Sequence, residues 1–426
     1  MLKEIKEKLH SGMGRDIVWT FAIQMLIMLC SFAINKLLAN RLSIDEFGQY
    51  NVIKRSVQVL SFVMLAGIGI ALPRYIPIYR NSNPPRPVAP LLSAAFIYMI
   101  GISVAVVAIC LLFSPQMQPV ITGQSNNSSL LLIALSYAFI LAMAQYVFAY
   151  YRGMGRFMWY NSTQLAMQLA IIMPLIVLPI LTVGNVFGSW LIITVLLVAY
   201  LMGRELWKCA NTSCQPHPCS QLSTHLTTIV KYASGRLIAD FFQFSLAAFP
   251  LIYISNTQGL QATAYFAVGI TFITMIIPLF SFLGIILLPY ISQAIARHEM
   301  TAANRLVNRL SLLYALAAIC FIAILWLFTD FLTALLFSND YVVTSQLTRI
   351  MILAILPQAA YMLFRNTIDA VSVVPYNAII LGICLAVMVA GFMLSVSPVH
   401  FAWAYVAVSA LQGLLSWVTW MIVRKK

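Results

Sequence analysis

The chain has 426 residues, of which 62% are hydrophobic and only 8% charged, against about 25% charged in an ordinary soluble domain. So little charge cannot clothe a water-facing surface, so a soluble globular domain is excluded and lipid is the solvent the composition demands. The formal charge of +14, from 25 Lys+Arg against 11 Asp+Glu, is scattered among apolar runs with no basic domain to hold a duplex, so it points away from nucleic acid and toward loop anchoring and an anionic cargo.

The opening stretch, Met1–His10, is rich in Lys and Glu and sets Leu2, Ile5 and Leu9 at helical spacing, the pattern of a short helix lying on the membrane surface. The first apolar run, 17–39, is too long for the apolar core of a cleavable signal. Counting runs of about 20 apolar residues predicts further spans at 47–72, 91–113, 130–152, 161–182, 185–204, 228–254, 262–288, 309–332, 345–369, 373–395 and 400–423. The expected fold is therefore all-α and integral to the membrane, with about twelve transmembrane helices.

The longest connection, 205–227, carries Cys209, Cys214 and Cys219 with His217. That spacing hints at a metal but lacks the paired C-x2-C of zinc sites, and a variable loop is the plainer reading. Cys30, Cys110, Cys320 and Cys384 sit in apolar runs and read as packing residues.

Placing the N-terminus in the cytoplasm puts Lys3, Arg15, Arg80, Arg86, Arg152, Arg156, Arg204, Lys208, Arg297, Arg305, Arg424 and their basic neighbours on the inside, and leaves only Arg41 in an outside loop. This bias orients both termini inward and requires an even number of spans. A faint repeat runs beneath it. Tyr50 recurs as Tyr265, Gly69 as Gly284 and Tyr75-Ile76 as Tyr290-Ile291 at an offset of 215; Phe148 recurs as Phe364 and Tyr160-Asn161 as Tyr376-Asn377 at 216. The expected organisation is a six-helix bundle over 1–204, a cytoplasmic linker over 205–227 and a second six-helix bundle over 228–426, as parallel repeats about an axis along the membrane normal.

A charge within a span costs about 2.5–3.5 kcal/mol on insertion scales, so each one needs a reason. Arg236 and Asp240 are four residues apart, as are Arg365 and Asp369, so each pair can neutralise itself on one helix face. The same aspartates could instead exchange H+ or Na+ during transport. Lys36, Lys54 and Arg55 have no acid at helical spacing within their own spans. One-faced polar stripes accompany them: Gln24, Ser31 and Asn35 in the first span, and Asn51, Arg55 and Gln58 in the second. Such stripes line water or a polar cargo, and Arg and Lys suit phosphate oxygens. The alternative for Lys36 and Lys54 is snorkelling to the outer interface. Arg349, at the start of the tenth span, reads as a snorkeller. Prolines 174, 179, 250, 278 and 357 interrupt spans and mark candidate bends.

Two segments carry a family resemblance. Ala39-Asn-Arg-Leu-Ser-Ile-Asp-Glu-Phe-Gly-Gln-Tyr50, continuing at Gly67-Ile-Gly-Ile-Ala-Leu-Pro-Arg-Tyr75, resembles the opening of the Wzx-type O-antigen flippases, polysaccharide-biosynthesis proteins of the multidrug/oligosaccharidyl-lipid/polysaccharide exporter superfamily. Tyr151-Arg-Gly-Met-Gly-Arg156 is the second cue. The resemblance implies two six-helix bundles in a V around a central cavity that helices 1, 2, 7 and 8 face. It implies a cargo of undecaprenyl-diphosphate-linked oligosaccharide in a bacterial inner membrane, with a polysaccharide polymerase and a chain-length regulator as partners beside the membrane lipids. Under it, Lys36, Lys54, Arg55, Asn51, Gln58, Gln24 and Asn35 would bind the diphosphate and glycan. Arg236, Asp240, Arg365 and Asp369 would couple or gate.

No G-x4-G-K-[ST], H-E-x-x-H or G-x-S-x-G occurs, and no cofactor motif, so a transporter rather than an enzyme is expected. A cation-coupled multidrug exporter and a membrane glycosyltransferase or polymerase are the competing classes. The orientation is directly testable. Alkaline phosphatase fused after Ser43 should be active and the same reporter after Gly155 inactive; the opposite pattern would invert the topology.

Overall fold

With no water in hydrocarbon to take up an N–H or C=O, an apolar chain crosses a bilayer as helices that satisfy their own backbone. The computed structural model describes residues 12–82, 86–125, 127–210, 222–296, 300–337, 339–372 and 374–424, and no strand occurs among them. The helices in chain order are α1 Gly12–Arg41, α2 Ile44–Leu65, α3 Ile68–Arg80, α4 Ala89–Leu112, α5 Ser114–Thr122, α6 Ser128–Gly153, α7 Phe157–Val177 and α8 Val183–Ala210. There follow α9 Leu222–Thr257, α10 Leu260–Ala296, α11 Met300–Leu327, α12 Thr329–Leu336, α13 Ser345–Met351, α14 Ile355–Val371, α15 Tyr376–Met393 and α16 Pro398–Val423.

Among the described residues eleven segments are long and apolar enough to cross a membrane. They coincide with eleven of the twelve expected spans. The twelfth, 228–254, falls on α9, where the side chains of 231–237 lie outside the described residues. So do Met1–His10 and the side chains of Cys209, Cys214, His217 and Cys219.

The chain divides into two compact units. One comprises the chain up to Leu42 and Ile53–Leu237; the other comprises Ser43–Val52 and Ile238–Lys426. The repeat reappears within them as matching elements. The short helix α5 has its counterpart in α12 (starting at 114 and 329) and α8 in α16 (starting at 183 and 398), each pair 215 residues apart. Neither short helix was expected, since eight or nine residues cannot span. Pro115 sits in the first turn of α5, where a missing N–H costs nothing.

Two expected spans are broken, for local reasons. The span 47–72 divides into α2 and α3, because Ala66 and Gly67 turn through left-handed φ of 50° and 76°. The span 345–369 is a composite of α13, a 3-10 turn Ile352–Ala354 and α14. Pro357 has no N–H for the Leu353 carbonyl and its ring crowds it, which accounts for the tightened turn one step earlier.

In the first unit, proline and arginine work together. Pro73 leaves the Gly69 carbonyl without its helical donor. Arg152, at the end of α6, donates from Nη2 to that oxygen at 2.7 Å. Gly153 beside it allows α3 to lie against α6: a Cβ there would stand 2.6 Å from Ile76 Cδ1 and 2.9 Å from the Leu72 carbonyl. Pro179 likewise leaves the Leu175 carbonyl unserved just beyond α7. Arg41 donates to the carbonyls of Leu175, Leu178 and Pro179 at 2.6, 2.7 and 3.0 Å.

In the second unit, Ser43 and Glu46 form a capping box at the start of α2. The Ser43 N–H donates to Glu46 Oε2 at 3.1 Å and the Glu46 N–H to Ser43 Oγ at 3.3 Å. A Cβ on Gly48 would collide with the Leu260 carbonyl, so glycine lets this first turn meet α10. Phe47 and Tyr50 are fully buried there, with Phe47 edge-on to Phe337 and Tyr341.

A double-mutant cycle tests the proline–arginine pairing. Arg152→Met should lower stability in neutral detergent by about 1–3 kcal/mol, the cost of a buried acceptor left bare. Combined with Pro73→Ala, which returns an N–H to the Gly69 carbonyl, the same substitution should cost little. Equal costs in both backgrounds, measured by thermal unfolding, would refute the pairing.

Candidate functional site

Each unit carries its own polar seam through otherwise apolar helices. In the first unit the seam joins α1 to α7. Gln24 Nε2 donates to Gln164 Oε1 at 2.9 Å, Gln164 Nε2 donates to the Tyr160 hydroxyl at 3.2 Å, and Asn161 Nδ2 donates to Thr20 Oγ1 at 2.7 Å. One turn of helix sets Tyr160 and Gln164 on one face, so α7 presents a ladder of amides where α1 presents Thr20 and Gln24. Gln24 thus acts first as a helix-packing residue.

Further along α1, Asn35 is buried; its Nδ2 donates back to the Ser31 carbonyl at 2.9 Å, and its Oδ1 has no partner. The adjacent Lys36 is exposed. On α2, Lys54 and Arg55 are half-buried, and Arg55 Nη1 donates to Gln58 Oε1 at 3.3 Å. Asn51, which belongs to the second unit, is buried and donates to the Phe47 carbonyl at 2.8 Å.

The second unit's seam joins α9, α14, α15 and α16. Arg365 Nη2 meets Asp240 Oδ1 at 3.4 Å, with side-chain exposures of 28% and 15%. The ion pair thus ties α14 to α9, where spacing alone suggested pairing within each helix. Asp369 accepts instead from Asn377 Nδ2 at 2.8 Å, and the same amide donates to the Arg365 carbonyl at 3.1 Å. One turn along α14, the Tyr361 hydroxyl donates to Gln243 Oε1 at 3.2 Å. Gln358 Nε2 reaches the Tyr405 hydroxyl and Ser409 Oγ on α16, both at 3.1 Å. The Arg236 side chain lies outside the described residues.

Sequence reasoning passed over Gln164, Tyr361, Gln358 and the amide roles of Asn161 and Asn377. The signal for the asparagines was present in the repeat of Tyr160-Asn161 as Tyr376-Asn377. In both, Nδ2 bonds within its own unit while the buried Oδ1 has no partner. Arg349, expected to snorkel, is anchored: Nη2 pairs with Asp330 Oδ2 at 3.0 Å and the guanidinium lies over Trp326 at 5.4 Å. His225, near the start of α9, meets the Tyr79 hydroxyl through Nδ1 at 2.8 Å. Burial first, and Arg86 second, hold its imidazole below the ordinary histidine value, so it favours the neutral form.

Among the described residues these seams are arrangements of buried amides, hydroxyls and few charges, suited to hydrogen bonding. Among the described residues no group of three or more His, Cys, Asp or Glu could hold a metal.

Residues 13–215 match the family model described as polysaccharide biosynthesis protein. No curated protein sequence matches. Among solved structures, the chain is similar to the lipid II flippase MurJ in an inward closed conformation, with a TM-score of 0.71 at 12% identity over 94% of this chain and 87% of that one. It is similar to an inward-facing multidrug resistance MATE family transporter of the MOP superfamily, with a TM-score of 0.72 at 11% identity over 96% and 97%. It is also similar to the Vibrio cholerae MATE transporter VcmN in its D35N mutant, at 0.61 and 15% over 97% of each chain. At such identities the likeness establishes the fold. Residues 13–215 thus match the polysaccharide biosynthesis protein family model, and the chain shares the fold of the MurJ and MATE transporter structures.

Proposed function

We propose that this chain flips an undecaprenyl-diphosphate-linked oligosaccharide repeat unit from the cytoplasmic to the outer leaflet of a bacterial inner membrane by alternating access, for O-antigen or another surface polysaccharide. One observation carries the reading: Lys36, Lys54 and Arg55 stand in the first two spans, inside the segment that matches the polysaccharide biosynthesis family. Three cations in two spans oppose insertion. A diphosphate cargo gives them a use, since guanidinium and ammonium groups bind phosphate oxygens by charge-assisted hydrogen bonds. Gln24, Asn35, Asn51 and Gln58 would add amide contacts to diphosphate and glycan. The lipid tail would stay in the bilayer while the polar head crosses. A polysaccharide polymerase and a chain-length regulator would use the product.

Asp240, Arg365 and Asp369, with Arg236, are the candidate coupling groups. Protonation or Na+ binding at Asp240 would weaken its hold on Arg365 and so change the attachment of α14 to α9. A second reading, a multidrug exporter, is supported by the equal likeness to multidrug transporters. A basic balance in the spans disfavours it, because a cationic drug needs acids to meet it.

The test is deletion in the native host followed by complementation. Loss of long-chain surface polysaccharide, with its lipid-linked unit accumulating on the cytoplasmic side, is the expected phenotype. Lys54→Ala/Arg55→Ala, present in the membrane at normal level, should restore about tenfold less polysaccharide or worse. Full restoration would refute the phosphate role, and intact polysaccharide with new drug sensitivity in the deletion would favour the exporter.

A further inference from the structure

At the end of the first unit that the charge bias assigns to the cytoplasm, the helix ends of α3, α6 and α8 and the start of α7 gather arginines around a single acid. Arg156 Nη1 pairs with Glu205 Oε2 at 3.0 Å. The Tyr150 hydroxyl donates to the same carboxylate oxygen at 3.2 Å and the Tyr151 hydroxyl to its Oε1 at 3.4 Å. Arg80 reaches from α3 to the Met154 carbonyl at 3.4 Å. Arg204, next to Glu205, lies over the Trp159 ring, its guanidinium carbon 3.5 Å from the centroid.

Donors outnumber acceptors here. A guanidinium has five N–H donors and no acceptor. Arg204 spends none of them on an acceptor among the described residues, and its Nη1 is both buried and without a partner. Arg152 Nε is in the same condition. Arg156 has one acceptor, and Glu205 is already shared by three donors. Among the described residues, Arg80, Arg152, Arg156 and Arg204 against the one carboxylate of Glu205 leave an excess of three positive charges, four less one. Two tryptophans on the same helices are open rather than packed: Trp159 is 41% exposed and Trp207 69%. Tryptophans of that kind mark the headgroup level of a bilayer.

We propose that this cluster is a binding site for the phosphate of an anionic phospholipid, with Arg204 as its fixed donor and Trp159 as the plate that holds Arg204 in plane. The surplus donors take the phosphate oxygens, and the open indoles lie along the glycerol and upper acyl chains. The net positive charge selects against zwitterionic lipids, whose ammonium group it repels. Glu205 competes with the phosphate for Arg156, so it weakens the site as well as organising it. The proposal does not depend on what the protein transports.

The experiment is native mass spectrometry of the full chain in neutral detergent with dioleoyl phosphatidylglycerol, dioleoyl phosphatidylethanolamine or inorganic pyrophosphate as probe. Phosphatidylglycerol adducts should survive activation better than phosphatidylethanolamine adducts. Arg204→Gln should lower phosphatidylglycerol retention about fivefold, and Arg204→Gln/Arg156→Gln should bring it to the phosphatidylethanolamine level, at roughly one arginine's surface attraction each. Glu205→Gln should move retention upward, which a damaged fold would not do. Equal retention of the two lipids, unchanged retention in the double variant, or displacement of phosphatidylglycerol by equimolar pyrophosphate would each overturn the assignment.

Discussion

Two arginines hold carbonyls that a proline four residues on cannot serve: Arg152 at Gly69, ahead of Pro73, and Arg41 at Leu175, ahead of Pro179. In water such a carbonyl would bind solvent at little cost. In hydrocarbon it must find a donor inside the protein. Proline bends a span only where that donor exists, and a guanidinium reaches far enough to supply it across a helix interface. The two family cues are therefore one structural device. Gly67 to Pro73 makes the break between α2 and α3, and Arg152-Gly153 closes it, one residue by hydrogen bonding and the next by being small.

The same accounting explains the charges of the second unit. Arg365 and Asp240 meet across α14 and α9, and Asp369 rests on an asparagine. A half-buried ion pair between helices is costly to break from one side only, since the partner then stands alone in a poor solvent. On the transport reading we propose, that would make it a two-state element. Paired, it ties two helices; with the carboxylate neutralised or taken by a cation, the tie is weaker. Transport needs such an element wherever an ion gradient does work.

Much of this was legible in the chain. Apolar run length located the spans because lipid sets a minimum length. The repeat offset of 215 returned in the starts of α5 and α12 and of α8 and α16. Other features escaped for definite reasons. Helix breaks at Ala66-Gly67 and before Pro357 leave the hydropathy of a span unchanged. The short helices α5 and α12 are too brief for a span count. The partner of Arg365 lies 125 residues away in Asp240, and helical spacing reports only neighbours on one helix. Gln24 reads as cargo-lining from its stripe yet bonds Gln164, because a polar stripe looks the same whether it faces a cargo or another helix. Arg41 stood out as the one basic residue expected in an outside loop, and it holds three carbonyls.

A membrane protein of this composition keeps few charges, and several of its arginines are committed to carbonyls, carboxylates or aromatic rings. Those of the first two helices fall in the segment that matches the polysaccharide biosynthesis family model, and they are the proposed ligands of the phosphate. The most direct measurement is translocation by purified protein in proteoliposomes loaded with a fluorescent, short-chain prenyl-diphosphate oligosaccharide, read by a membrane-impermeant quencher. Transport-dependent movement between leaflets, abolished by Lys54→Ala/Arg55→Ala and responsive to a H+ or Na+ gradient, is what the account predicts. Movement no faster than in empty vesicles, while the same protein expels a cationic dye, would contradict it.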